Sequence, residues 1–211
     1  MIQIEPYGLI RILSESFQHV LERKIFFLVG ISIDEIVKDF HVLIDVTEDA
    51  NLGCMVQGTG TIVKKGAGSV ILTSEVSTSG YNTTNGMRVE EGLLSLPQTT
   101  EQIPPRGDFT LTKVYVGENG VLGLHAAPSK NSNNIFQSLE GYGVVTCLTE
   151  NAGPYQLRID GKEGKTFHGK ITGNIRIYAK GTFNLAGDMS DFKGNTTLQS
   201  GGVCGVYRFG N

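Results

Sequence analysis

The pattern of apolar and polar positions changes its period near residue 41. Before that point, apolar residues recur at steps of three and four, as on one face of an α-helix. These positions are Leu9, Ile12, Leu13, Phe17, Val20 and Leu21. The spacing predicts an amphipathic helix over residues 7–24, and the β-branched and aromatic run over residues 25–33 predicts a buried strand. We therefore divide the chain into a capping segment, 1–40, and a β domain, 41–211.

Within the β domain, apolar residues alternate with polar ones in short runs that are separated by Gly, Asn or Asp. One phrase occurs in two altered copies. The first copy is Gly58-Thr-Gly-Thr-Ile-Val-Lys-Lys-Gly-Ala-Gly-Ser-Val-Ile-Leu-Thr73, and the second is Ile171-Thr-Gly-Asn-Ile-Arg-Ile-Tyr-Ala-Lys-Gly-Thr-Phe-Asn-Leu-Ala-Gly187. Short strands, a Gly turn and another strand, repeated along the chain, are typical of stacked coils.

This pattern predicts an all-β fold of the β-solenoid (parallel β-helix) type. Strands of three to five residues are short for a sandwich or barrel, and Gly and Asn accept the sharp bends at solenoid corners. Stacking would place similar side chains above one another in one continuous core. The predicted inward positions are Val63, Val70, Leu72, Val89, Leu93, Val114, Val116, Leu122, Leu124, Val144, Ile159, Ile175, Ile177, Phe183 and Leu185. The N-terminal helix is expected to cap one open end of the stack.

The motifs of the β domain are similar to those of a known family. They are Lys65-Gly-Ala-Gly-Ser-Val-Ile-Leu72, Tyr81-Asn-Thr-Thr84 and Met87-Arg-Val-Glu-Glu-Gly-Leu93, with a second set in residues 180–202. From about Val42 to Val203 the chain resembles autotransporter passenger domains and their associated β-strand repeat. The resemblance implies a right-handed parallel β-helix in a secreted or surface-displayed protein, often an adhesin or a structural stalk.

Three functions are compatible with this architecture. The leading one is a non-enzymatic extracellular or cell-surface module, structural or adhesive, whose partner is a host-surface protein or a glycan. The second is a carbohydrate-binding or carbohydrate-active β-helix protein of the tail-spike type. The third is an intracellular structural subunit that assembles with itself. A groove lined by acidic and aromatic residues would favour the second, and filaments or oligomers would favour the third.

Composition and hydropathy restrict the classes of partner and the location that we expect. The net charge is −3, and no cluster of Lys and Arg exceeds a pair, so a nucleic-acid partner is not expected. The apolar run of residues 24–33 is too short to span a bilayer and lies too far into the chain for a secretory signal. We therefore expect that the chain either stays where it is made or is a piece of a longer exported protein.

Catalytic and metal-binding motifs are not evident in the sequence. The closest pair of carboxylates, Asp188 and Asp191, falls on a predicted turn, where Asp commonly accepts a hydrogen bond from nearby backbone. The four histidines lack ligand-like spacing, so no metal site and no cofactor is expected. Cys54, Cys147 and Cys204 are expected to be buried thiols, with a Cys54–Cys147 or Cys147–Cys204 bridge left open.

A Pro-flanked loop over residues 97–108 is a predicted excursion from the stack. It ends in the integrin-type tripeptide Arg106, Gly107 and Asp108, which is the candidate binding site that the sequence offers. Loops that leave a rigid scaffold are common binding surfaces.

Overall fold

The computed structural model of the chain describes most of the β domain and two short N-terminal segments. The described residues are 2–4, 9–13, 41–52, 56–58, 61–72, 81–83, 86–96, 112–124, 133–149, 155–161, 164–199 and 203–206. These residues contain nineteen β-strands and no helix.

The strands are short in most of the chain, and three long ones lie in its middle. The first ten are β1 (Ile2–Ile4), β2 (Leu9–Leu13), β3 (His41–Asp45), β4 (Ala50–Leu52), β5 (Val56–Gly58), β6 (Thr61–Lys65), β7 (Val70–Leu72), β8 (Tyr81–Thr83), β9 (Gly86–Ser95) and β10 (Thr112–Leu124). The others are β11 (Asn133–Gly141), β12 (Val144–Cys147), β13 (Tyr155–Ile159), β14 (Thr166–Phe167), β15 (Lys170–Thr172), β16 (Ile175–Ala179), β17 (Thr182–Leu185), β18 (Thr196–Leu198) and β19 (Val203–Val206).

Parallel pairing arranges the strands in three stacked faces. Face A contains the start of β11 and then β13, β16 and β18. Face B runs through β2, β3, β6, the first halves of β9 and β10, the end of β11, and β14, β17 and β19. Face C contains β4, β7, the second halves of β9 and β10, and β12 and β15. The strands β5 and β8 form a separate parallel pair. The prediction of a parallel β-solenoid is therefore confirmed.

The core is a set of ladders in which apolar residues of successive turns lie opposite one another. On face C, Leu122 pairs with Val145, and Val145 pairs with Ile171. On face A, Leu157 pairs with Ile177. All five side chains are completely buried. Burying such a side chain stabilises the fold by about 1.5–3 kcal/mol, so the ladders supply the main driving force for stacking.

The turns between faces B and C, called here the B–C corner, are close-packed at glycine. Successive turns place Gly143, Gly169 and Gly187 over one another. A Cβ atom added at Gly169 would overlap the carbonyl oxygen of Gly143, and one added at Gly187 would overlap that of Gly169. Residues without a side chain let the backbones of neighbouring turns touch, which keeps the ladder hydrogen bonds intact on both sides of the corner.

Twelve of the fifteen predicted inward positions are buried, and three are shifted by one residue. Val63, Leu93 and Val144 are only partly buried. Their neighbours Ile62, Lys64, Leu94 and Val145 face the core instead. The prediction was wrong at these three positions because side chains alternate along a strand, so an error of one residue reverses the face.

Lys64 is the charged residue that this register buries. Its side chain has no exposed surface, and it lies in the ladder between Ile44 of β3 and Val89 of β9. The ammonium donates hydrogen bonds to the carbonyl oxygens of Lys65 at 2.7 Å, Gly66 at 2.6 Å and Glu91 at 3.0 Å. Burial lowers the pKa of Lys64, and the nearby charges of Glu91 and Asp45 oppose that effect.

The predicted N-terminal helix is not confirmed. Leu9–Leu13, which falls in the predicted range of 7–24, forms β2 and pairs in parallel with β3. The β-branched residues Ile10 and Ile12 favour a strand, and the partner edge of β3 offers backbone hydrogen bonds. The strand β1 pairs antiparallel with β2. The remainder of the predicted helix, residues 14–24, and the strand predicted over 25–33 lie outside the described residues.

Substitution of a corner glycine should destabilise the protein. We expect Gly169→Ala to lower the free energy of unfolding by about 1–3 kcal/mol, because the new methyl group overlaps backbone that cannot move without breaking ladder bonds. Gly164→Ala is the matched control, since its Cβ would meet only Cγ2 of Thr182, at 4.0 Å. That variant should lose about 1 kcal/mol of unfolding free energy, because an alanine at the positive φ of Gly164 is strained. Urea denaturation of both variants checks that Gly169→Ala loses more unfolding free energy than Gly164→Ala. Equal losses would show that backbone contact at the corner does not restrict Gly169.

Removal of the buried ammonium should also destabilise the protein. Lys64→Met keeps most of the side-chain volume but removes the ammonium from three carbonyl oxygens, of which that of Lys65 keeps the amide of Val46 as a donor. We therefore expect a loss of about 1–3 kcal/mol at pH 7. Because burial lowers the pKa of Lys64 below 10.5, the unfolded chain binds more protons than the folded one in the range just below that pH. The cost of burying the charge is therefore complete at neutral pH and is relieved as the pH rises toward 10.5.

The stability difference between wild type and Lys64→Met should accordingly widen as the pH rises from neutrality toward 10.5. The measurement is the urea midpoint of both proteins across this range, because the difference cancels groups that the two proteins share. A difference that stays constant or shrinks with rising pH would show that burial does not disfavour the charged form.

Candidate functional site

The B–C corner carries a group of exposed side chains on a fixed backbone. The amide of Tyr142 donates to the carbonyl of Val116 at 2.9 Å, and the amide of His168 donates to that of Gly141 at 2.9 Å. The amide of Lys170 donates to the carbonyl of Gly143 at 2.8 Å. Each bond joins one turn to the next, so side chains from successive turns are held in register at the surface.

Two aromatic rings stack at this corner. The rings of Tyr142 and His168 have centroids 5.0 Å apart and planes inclined by 16°. Tyr142 remains 62% exposed although His168 covers one side of it. Stacked rings at this separation attract each other, and the tyrosine presents an ordered aromatic surface to solvent. We call Tyr142 and His168 the aromatic pair.

On the face C side of the aromatic pair lies a cluster of charges. The ammonium of Lys170 is 2.5 Å from a carboxylate oxygen of Asp191 and 3.4 Å from one of Asp188. The hydrogen bond to Asp191 is the main reason why the pKa of Lys170 is raised. The other carboxylate oxygen of Asp188 accepts a hydrogen bond from the backbone amide of Ser190 at 2.8 Å. That bond lowers the pKa of Asp188, so the carboxylate is ionised at neutral pH.

On the face B side lies a second ion pair. The ammonium of Lys165 is 3.4 Å from a carboxylate oxygen of Glu140, which precedes Tyr142 by two residues. In the register of face B, Glu140 also lies beside Tyr115, whose ring is covered by the guanidinium of Arg88 at 4.2 Å. The aromatic pair thus lies at the corner between the ion pair on the face B side and the charge cluster on the face C side.

Asp188 and Asp191, the carboxylates that the sequence singled out, lie close together in a turn. Asp188 and Asp191 share Lys170, which comes from the preceding turn of the solenoid and is close to them only in the folded chain. Sequence reasoning missed this lysine and the stacking of His168 on Tyr142. The detectable signal was the common position of both aromatic residues immediately before a glycine, in Tyr142-Gly143 and His168-Gly169.

The remaining candidates from the sequence have different outcomes. Cys147 is a free thiol whose sulfur lies 3.7 Å from the carbonyl oxygen of Thr149, so neither of the two bridges considered for it forms. Arg106, Gly107 and Asp108 lie outside the described residues, and the tripeptide stays a prediction. Among the residues that the structure describes, no group of His, Cys, Asp or Glu is arranged to hold a metal ion.

Comparison with known proteins yields no relative. No family model matches the chain, and no curated protein and no solved structure is significantly similar to it. The described part of the chain contains no helix of the length and apolar character that a membrane span requires. The structure therefore defines the class of the protein as a parallel β-solenoid, and function has to be argued from its surface.

The turn at Asp188 should contribute to stability in a pH-dependent way. We expect Asp188→Ala to lower the urea midpoint at pH 7, because the amide of Ser190 loses its acceptor. The folded pKa of Asp188 lies below 3.8, so its contribution is present above that pH and is lost as the pH falls through the folded value. The midpoints of wild type and variant should converge in strong acid. Asp191→Ala is the control and should change the midpoint less, and a difference that persists in acid would contradict this role.

Proposed function

We propose that the protein is a non-enzymatic structural and adhesive module that acts outside the cell or at its surface. The observation that carries the proposal is the aromatic pair with its charged flanks, displayed on a solenoid whose backbone is fixed by core ladders and glycine corners. A rigid scaffold that holds exposed groups in register binds a partner with little loss of conformational entropy. The finer identity that we propose is a right-handed helix of the autotransporter passenger type.

The arrangement of the carboxylates supports a role without catalysis. A glycoside hydrolase needs one carboxylic acid that stays protonated and a second carboxylate across the scissile bond. Asp188 has a lowered pKa and accepts a backbone hydrogen bond, and both Asp188 and Asp191 are paired with Lys170. The hydrogen bond from Ser190 favours the ionised form of Asp188, and Lys170 engages both carboxylates.

A binding and cleavage assay tests the proposal. Purified protein is applied to immobilised cell-surface proteins and glycans, and the same glycans are incubated with it and analysed for new reducing ends. We expect binding to at least one class and no cleavage. The matched variant is Asp188→Asn with Asp191→Asn, which removes both carboxylates. Cleavage by wild type that is lost in the double variant would overturn the proposal, and so would a failure of wild type to bind any member of the panel.

The predicted tripeptide is tested separately in the same panel. Asp108→Glu lengthens the acidic side chain by one methylene and keeps its charge. We expect it to leave the melting temperature unchanged and to abolish binding to an integrin-type receptor, if such binding is present in wild type. Equal receptor binding by both proteins would exclude the tripeptide as the contact.

A further inference from the structure

We propose that the aromatic pair is the platform of a binding site for a neutral saccharide. This inference rests on the proposed function and deepens it, because it names one ligand class and one site for a module whose partner was left as a surface protein or a glycan. Its parts are the exposed ring of Tyr142, the supporting ring of His168 and the flanking groups Glu140, Lys165 and Asp188.

The exposed ring supplies the apolar contact that a sugar needs. The face of an aromatic ring carries partial negative charge, which attracts the polarised C–H groups on one face of a pyranose. Stacking on His168 fixes the orientation of Tyr142, and the backbone bond from its amide to Val116 fixes its position. The ring is therefore ordered before a ligand arrives, although 62% of the residue is exposed.

The flanks supply hydrogen-bonding groups for hydroxyls. Glu140 and Lys165 lie on the face B side of the B–C corner. Lys170 lies on the face C side with Asp188 and Asp191. Carboxylates accept and ammonium groups donate, so the strands on both sides of the corner carry partners for a hydroxyl. Bonds in which one partner is charged are about twice as strong as neutral ones. A flat apolar surface between such groups matches the shape and chemistry of a sugar ring.

The charges of the site favour a neutral ligand over an acidic one. Three carboxylates, of Glu140, Asp188 and Asp191, face two ammonium groups, of Lys165 and Lys170. Both ammonium groups are already paired, so a uronic acid or a sulfated sugar would find no free cation in the flanks and would meet an excess of negative charge.

A protein partner fits the surface around the aromatic pair less well. A standard protein interface buries about 800 Å² on each partner, with a more apolar centre. At the B–C corner the residues around the aromatic pair are glycines, whose backbone is packed against neighbouring turns, and paired charges. Among the large exposed hydrophobic side chains of the described residues, Tyr142 is the one at this corner, which suits a ligand of a few sugar units.

The test uses the full chain and defined oligosaccharides. Neutral probes are the hexasaccharides of cellulose, laminarin, amylose and mannan, and acidic probes are a hexagalacturonate and a heparin hexasaccharide. Affinities are measured by calorimetry for wild type, Tyr142→Ala, Tyr142→Phe and the control Tyr178→Ala. The control removes a tyrosine from face A, where its hydroxyl accepts a hydrogen bond from Arg176 at 3.3 Å.

We expect at least one neutral probe to bind more tightly than both acidic probes. Tyr142→Ala should weaken that binding roughly tenfold or more through loss of stacking, whereas Tyr142→Phe, which keeps the ring, should bind within about threefold of wild type. Tyr178→Ala should bind as wild type does. Melting temperatures of all four proteins show whether each variant is folded, and the exposed position of Tyr142 makes a large drop unexpected.

The other outcomes separate this inference from the proposed function. Unchanged affinity of Tyr142→Ala would overturn the site, and tighter binding of the acidic probes would overturn the neutral class. If no saccharide binds but a surface protein does, the saccharide inference fails and the adhesive function stands. If neither class of partner binds to wild type, both fail.

Discussion

The rest of the structure depends on direct contact between the backbones of successive turns at the B–C corner. At Gly143, Gly169 and Gly187 the space that a Cβ atom would take is already filled by a carbonyl group of a neighbouring turn. This contact sets the spacing of faces B and C, and with it the register of the ladders that bury Val145, Ile171 and their neighbours. Ladder hydrogen bonds, apolar burial and the display of surface groups all require that the corner closes to this distance.

Lys64 solves a related problem at the same corner, in an earlier turn. There the chain bends through Gly66, which has a φ of 73°, and its carbonyl oxygen accepts a hydrogen bond from the ammonium of Lys64. A buried carbonyl without a donor costs about 1–3 kcal/mol, and the ammonium of Lys64 donates to three carbonyl oxygens at this corner. The long apolar stem packs between Ile44 and Val89. A charged residue in a ladder is therefore compatible with the core wherever the corner backbone supplies enough acceptors.

The sequence predicted the solenoid because Gly-punctuated alternation is a property of each turn, and most inward positions follow from it. Lys64 shows where such reasoning fails. The predicted inward position was Val63, and the carbonyl oxygens that accept from a buried Lys64 come together only in the folded corner. The site was less predictable. Lys170 meets Asp191, and His168 meets Tyr142, across turns of the stack, and these contacts depend on turn length, which varies because the loops vary. The residue types were visible in the sequence, but their alignment across turns was not.

A corner built on glycine separates the fold from the surface chemistry. The backbone contact is made by Gly143, Gly169 and Gly187, while the exposed groups come from adjacent positions, Tyr142, His168 and Asp188. Because the glycines carry the packing, the adjacent side chains contribute little to the core and can differ from turn to turn at small cost in stability. The same corner can thus stack aromatic rings from two successive turns, with centroids 5.0 Å apart, and carry a carboxylate on the other side of the glycine in the following turn. The order of residues along the corner therefore decides which chemical groups are displayed, and the solenoid fixes the distance between them.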